Sequence, residues 1–79
     1  MRITYDPEAN AAYITLSEQQ GGVVTHTISE DINIDVYANG ALHGIELLNA
    51  NEQLAPDGGD LLVQNLVTGQ EVRLKLKAA

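Results

Sequence analysis

The stretch Ile32 to Leu48, INIDVYANGALHGIELL, decides the fold. Ile32, Ile34 and Val36 alternate with Asn33, Asp35 and Tyr37, the period of two expected of a strand with one buried and one wet face. Asn39-Gly40 supplies a turn, because both residues tolerate positive φ. A two-residue turn there sets Ile34 opposite Ile45 and Ile32 opposite Leu47. It leaves Tyr37 with Leu42, Asp35 with Gly44 and Asn33 with Glu46 on the other face. A slip of one residue would place Ile32 against Glu46 and Ile34 against Gly44, breaking the apolar column, so the pattern itself selects the register.

Working outward, Ile3, Tyr5, Ala12, Ile14 and Leu16 keep the same period on either side of Asp6-Pro7-Glu8-Ala9-Asn10. Pro7 cannot donate to a ladder, and Asp6 and Asn10 can close a turn through their side chains, so a second hairpin is expected with Ile3 opposite Ile14 and Tyr5 opposite Ala12. Glu18 to Gly22 reads as a loop. Val23 to Ile28 is rich in β-branched residues, with Val24, His26 and Ile28 on one face and Val23, Thr25 and Thr27 on the other. Residues 1–48 then read as a five-stranded antiparallel meander with one apolar face.

Such a face needs a cover, and residues 51–79 are the material for it. Asn49 to Gly59, which carries Pro56-Asp57-Gly58-Gly59, reads as a turn or loop, with one helical turn at Asn51 to Leu54 as an option within it. Leu61 to Val67 fits two drawings. As a helix, Asp60 is the N-cap and Leu62, Val63, Leu66 and Val67 form a stripe; as a strand, Leu61, Val63 and Val67 alternate with Leu62, Gln64 and Leu66. Thr68-Gly69-Gln70 is a turn, and Val72, Leu74 and Leu76 alternate with Arg73, Lys75 and Lys77 as a strand. The fold class is mainly β, with α+β the alternative: a small antiparallel sheet covered by a C-terminal hairpin, or by a short helix plus strand, in a single domain spanning 1–79.

A chain of 79 residues hides only about 60% of the surface of its unfolded form. It has no cysteine, so neither a disulfide nor a thiolate metal site can staple it, and an intermolecular contact is the expected supplement. A homo-oligomer or a basic protein partner is therefore expected. Met1 leads straight into a strand-like segment with no signal pattern, and apolar runs are short, so the expected location is cytoplasmic. The net charge is −7. Residues 1–70 carry one base, Arg2, against ten acids, whereas 71–79 carry Arg73, Lys75 and Lys77 against Glu71. A field of that sign repels phosphate backbones and anionic lipids and attracts basic proteins, which argues against nucleic acid and membrane as partners.

The runs ITYDPEANAAYITL and DINIDVYANGALHGIELLNA resemble the short prokaryotic proteins grouped as domain of unknown function 2283. That family opens with I-T-Y-D-x-E-A-D-A-x-Y-I-x-L, matched here by Ile3, Tyr5, Asp6, Glu8, Ala9, Tyr13, Ile14 and Leu16. It closes its core with D-G-x-x-x-G-I-E-I-L, matched by Gly40, Gly44, Ile45, Glu46 and Leu48. The likeness covers roughly residues 1–50. Asn10 stands where an acid is usual, and Leu47 replaces the second isoleucine. The resemblance implies a compact β-rich fold in a bacterial or archaeal cytoplasm, and it brings no catalytic residues.

Five groupings invite chemistry. Asp31-x-Asn33-x-Asp35 has the opening spacing of a calcium loop, but Val36 and Leu42 stand where that loop needs Gly and a bidentate Glu. A solvated strand face is the plainer reading. His26 and His43 are the only histidines, and the register directs both toward the apolar face, which makes them candidate metal or ligand residues. Their Cα atoms would lie on the order of 10 Å or more apart, so a third ligand would be needed. Asp6 and Glu8 share a loop, but nothing nearby raises a pKa or excludes water, and turn chemistry explains Asp6. Glu46 reads as the cross-strand partner of Asn33. Arg73, Lys75 and Lys77 form a basic stripe better suited to guarding an edge or to half of a self-complementary interface than to phosphate.

The sequence therefore points to a non-enzymatic interaction domain with no cofactor, which self-associates or binds a basic protein, as an antitoxin-like or accessory protein would. The alternative is a small-ligand or metal-binding module using His26 and His43. An enzyme ranks third, since no nucleophile has an identifiable base.

Overall fold

The computed structural model describes residues 1–54 and 60–75. Five strands, β1 (Arg2–Asp6), β2 (Ala11–Thr15), β3 (Val23–Ser29), β4 (Ile32–Tyr37) and β5 (Leu42–Leu48), are followed by a single helical turn, α1 (Ala50–Gln53). Two further strands follow, β6 (Asp60–Gln64) and β7 (Glu71–Lys75). The expected turn at Pro56 to Gly59 and the end of the last expected strand, Leu76 and Lys77, lie outside the described residues.

The first five strands form one antiparallel sheet, and these expected pairings hold: Ile3 with Ile14, Tyr5 with Ala12, Ile34 with Ile45 and Ile32 with Leu47; on the far side of β4, His26 pairs with Ile34. The neighbours do not follow chain order. The sheet runs β1-β2-β5-β4-β3, so β2 pairs with β5, not with β3, and β2 to β5 form a Greek key in place of the last part of a meander. The reason lies in residues 16–20, which do not turn back after β2 but cross the open ends of β5 and β4. Leu16 N–H donates to the His43 carbonyl at 2.8 Å, Ser17 Oγ donates to the Leu42 carbonyl at 2.9 Å, and Gln19 N–H donates to the Tyr37 hydroxyl at 2.8 Å. Seating β5 between β2 and β4 gives its Ile45 and Leu47 an apolar neighbour on each side, Ile14 and Ala12 on one, Ile34 and Ile32 on the other.

The turn of the central hairpin also differs from expectation. Gly40 N–H donates to the Tyr37 carbonyl, Tyr37 N–H donates to the Ala41 carbonyl, and Gly40 takes φ +87°. This is a three-residue loop with glycine in the left-handed position. It pairs Val36 with Leu42 while Asp35 still pairs with Gly44, so His43 is the extra residue of a bulge. A bulge re-aims the side chain it carries, which proves decisive for His43.

At the other end of the sheet, α1 docks on the β1–β2 turn. Asn10, with φ +56°, accepts from Asn51 N–H through Oδ1 at 2.7 Å and from Ala50 N–H through its carbonyl at 3.1 Å, satisfying two donors of the first helical turn. The Tyr5 hydroxyl donates to Asn51 Oδ1, and Asn51 Nδ2 donates to the Pro7 carbonyl. Ala50 and Ala12 are buried as a result, and with Tyr37 they are the buried apolar residues of the described chain.

Of the two drawings for the C-terminal stretch, the strand forms: β6 and β7 make a separate two-stranded sheet. The strand stops at Gln64 and does not run to Val67. Asn65 Oδ1 accepts from Val67 and Thr68 N–H, and Gly69, at φ +77°, returns its N–H to the Asn65 carbonyl. Leu66 and Val67 consequently stand in the turn, 88% and 95% exposed.

Candidate functional site

The two faces of the five-stranded sheet differ sharply in chemistry. Antiparallel pairing puts Tyr13, Glu46 and Asn33 in one row across β2, β5 and β4, and Gly44, Asp35 and Thr25 in the next across β5, β4 and β3. Tyr13 lays its ring over Gly44 and donates its hydroxyl to Asp35 Oδ2, tying β2 to β4 across the strand between them. Gly44 is what makes the crossing feasible: a Cβ there would collide with Tyr13 Cε1 and lie 2.6 Å from the Ile14 carbonyl. Thr25 donates to the other oxygen of Asp35 at 2.6 Å, and Asn33 Nδ2 donates to Glu46 at 2.9 Å.

These contacts set the protonation states. Burial pushes the Tyr13 phenol up to about 12, helped by its bond to Asp35 and by that residue's charge. Hydrogen bonds from Thr25 and then Tyr13 hold the Asp35 carboxyl below its ordinary range. A phenol that keeps its proton and a carboxylate that keeps its charge do not exchange protons near neutral pH, so the pair acts as a tie and not as an acid and base.

A second cluster holds the crossing segment. His43 Nδ1 lies 2.8 Å from both the Ser17 carbonyl and the Tyr37 hydroxyl. The carbonyl only accepts, so Nδ1–H is the donor. The His43 ring stands edge-on to Tyr37 at 5.4 Å and tilted to Tyr13 at 6.0 Å. Ser17 Oγ is committed to the Leu42 carbonyl, so no hydroxyl here is presented to a base.

The bulge thus overturns one expectation. His43 belongs to the polar face, among Tyr13 and Tyr37, whereas His26 pairs with Ile34 and belongs to the opposite, apolar face. The sheet stands between the two histidines, and they share no site. Among the described residues no group of three His, Asp or Glu side chains is placed to hold a metal ion. Asp6 caps its own turn, accepting from Glu8 and Ala9 N–H at 2.9 and 3.1 Å, while Glu8 is exposed. Asp31, Asn33 and Asp35 serve three separate partners and do not converge: the Asp31 carbonyl accepts from Leu48 N–H, Asn33 holds Glu46, and Asp35 takes Tyr13 and Thr25. Arg73 pairs with Asp60 at 2.8 Å on the exposed side of the β6–β7 hairpin, and Lys77 lies outside the described residues.

What remains is the apolar face. Ile3, Ile14, Ile45 and Ile34 form one row across four strands, continued by His26 on β3; Tyr5, Ala12, Leu47 and Ile32 form the next. Only the corner at Tyr5 and Ala12 lies under α1. The four isoleucines of the first row are half-buried, and Val24, paired with Val36 on the same face, is 61% exposed. The hairpin repeats the pattern on a smaller scale. Leu61 pairs with Leu74 and Val63 with Val72 on one of its faces, and Val63, Val72 and Leu74 are each about half exposed. No helix of the described residues is long and apolar enough to cross a membrane.

Sequence reasoning found the Asn33–Glu46 pair and the Asp6 turn but not the Tyr13–Asp35 tie or the Tyr37 strap. The available signal was a tyrosine and a glycine that become diagonal neighbours, Tyr13 and Gly44, which sit in separate runs of the sequence and meet only if β2 adjoins β5. Comparison with curated proteins and with solved structures gives no match. A family model described as "Protein of unknown function (DUF2283)" matches residues 2–51, from the start of β1 into α1. Those residues hold the whole five-stranded sheet, the tie and the strap, and the chain belongs to the DUF2283 family.

Proposed function

We propose that the protein is a non-catalytic interaction domain that works through the apolar face of its five-stranded sheet. One observation carries this reading: among the described residues α1 covers one corner of a sheet with two full apolar rows, and the buried apolar side chains are Ala12, Tyr37 and Ala50. A layer of secondary structure hides its apolar face against a second layer, and a patch of this kind on a small domain marks a contact surface. The polar face supports the same reading from the other side, because Tyr13, Thr25, Asp35, Tyr37, His43 and Glu46 are engaged in holding strands and the crossing segment together.

The charge favours a protein with a basic surface: acids dominate residues 1–70, and complementary charge at the rim selects partners and speeds their encounter. An accessory or antitoxin-like role fits these properties. To test it, a tagged chain is expressed in cells together with an untagged copy, and whatever protein is retained, the same chain or another, is compared with the Val24→Glu and Thr27→Glu variants. Val24 lies on the apolar face and Thr27, paired with Asn33, on the polar one. Retention that Val24→Glu abolishes and Thr27→Glu spares is the expected result. Retention of nothing, or equal sensitivity to both changes, overturns the reading.

A further inference from the structure

We propose that the layer covering this face is a second copy of the same chain, packed sheet against sheet with the apolar column of each β6–β7 hairpin inside the same interface; the inference rests on the apolar face being a docking surface. Two observations favour a second copy over another occupant.

The first is area. A compact monomer of 8.5 kDa exposes about 4,700 Å², whereas this chain exposes 5707 Å². The excess, on the order of 1,000 Å², is close to the roughly 800 Å² that each partner loses in a standard stable interface. The shape agrees: the radius of gyration is 14.1 Å with extents of 37 × 35 × 19 Å, against about 12 Å for a compact chain of this length. The molecule is a plate, and two plates stacked at the usual sheet separation of about 10 Å make a normal two-layer domain.

The second observation is that the described residues present two apolar surfaces, the isoleucine rows of the sheet and the Leu61, Val63, Val72, Leu74 column of the hairpin, with no second layer of those residues over either beyond the corner under α1. A lone two-stranded hairpin is marginal in water. A two-fold pair lets each copy lay its hairpin column against the sheet face of the other, which is the self-complementarity that such symmetry requires.

Charge sets the salt dependence of the pair. The net −7 on each copy opposes association as a whole, so salt strengthens or leaves unchanged a pair held by apolar contact, while it weakens capture of a basic partner.

The test is light scattering during gel filtration of the full chain, at about 0.05 and about 0.5 M salt, with hydrophobic-dye binding measured on the same samples. The expected result is a mass of twice 8.5 kDa at both salts. Val24→Glu and Leu74→Glu, at side chains 61% and 47% exposed in a single copy, each weaken the pair about 100-fold or more with unchanged far-ultraviolet circular dichroism. A pair that both variants leave intact overturns the proposal, because the contact then lies elsewhere. A monomer whose face binds dye, with binding lost in Val24→Glu, overturns the second copy and leaves the docking surface standing. A monomer that binds no dye overturns both.

Discussion

The five-stranded sheet and the β6–β7 hairpin are built by the same local rule and held by different means. Each alternates apolar and polar residues, each pairs antiparallel, and each turns on a glycine with positive φ, Gly40 in one and Gly69 in the other. In the sheet, however, side chains reach past their nearest neighbours: Tyr13 spans β5 to Asp35, Tyr37 and His43 pin the crossing segment, and Asn10 holds α1. In the hairpin the side-chain ties are local, the Asn65 turn and the exposed pair of Arg73 with Asp60. Periodicity is enough to make strands, but ties that skip a strand are what make the order of strands unique.

Glycine substitution gives the largest expected contrast. Gly44→Ala forces the Tyr13 ring off its path and crowds the Ile14 carbonyl, and overpacking of this kind costs about 2–3 kcal/mol. Urea unfolding should show that loss, together with loss of the Tyr13–Asp35 contact. Gly69→Ala meets nothing within 4 Å and suffers only from its φ of +77°, a cost of about 1 kcal/mol. It should leave the unfolding midpoint of the sheet in place. Equal effects from the two changes would erase the distinction drawn here.

Next in size are the two tyrosine ties. Tyr13→Phe removes one donor from Asp35 and should lower stability at neutral pH by about 1.5 kcal/mol. It also changes the pH profile. The folded phenol is pushed up to about 12 from its ordinary 10.0, so its contribution is complete below pH 10 and is lost as pH rises toward 12. The phenylalanine variant should lack that alkaline loss. Asp35 has the opposite sign: its folded value lies below the ordinary 3.8, so its contribution is present above that value and disappears as acid is added through the lowered one. Tyr37→Phe should cost about 1 kcal/mol and act locally, raising amide exchange at Gln19, whose N–H loses its acceptor.

The smallest effect belongs to the hairpin. Arg73→Ala breaks a pair whose arginine is 62% exposed, and exposed pairs of this kind contribute about 0.5 kcal/mol or less. A thermal melt that moves by no more than a degree or two is the expected outcome. A large drop would mean that Arg73 supports more than its own hairpin.

The strands of the large sheet and most of their registers were readable in the sequence because each rests on local alternation: Ile32 and Ile34 against Ile45 and Leu47 admit a single register, and the Asp6–Asn10 break admits a single turn; Tyr37 against Leu42 was misread, and Leu61 to Val67 stayed open between helix and strand. Strand order was not readable, because the loop Glu18 to Gly22 is long enough to turn back or to cross, and its composition suits both. What decides is a set of contacts far apart in sequence, Tyr37 with Gln19 and Tyr13 with Asp35, and neither alters the period of two. His43 was misplaced for a related reason. Alternation assigns it to the apolar face, and a single bulge residue reverses that assignment without leaving a mark in the pattern. The apolar face itself was visible as a row of isoleucines. How small a corner of it α1 reaches followed only from the structure.

The seam where Ala11 to Thr15 pairs with Gly44 to Leu48 also sets the course of folding. Every other junction of the large sheet joins strands consecutive in the chain and closes a short loop, whereas this one closes a loop containing two whole strands. Closure entropy grows with the logarithm of loop length, about 0.6 kcal/mol for each doubling, and non-local pairings of this kind dominate folding times. The topology predicts that the β3-β4-β5 unit and the β1-β2 hairpin assemble first, and that their zippering along β5 is the late, rate-limiting event. Until it happens the edge of β5 stands open, with Ile45 and Leu47 available to any strand that arrives before β2 does.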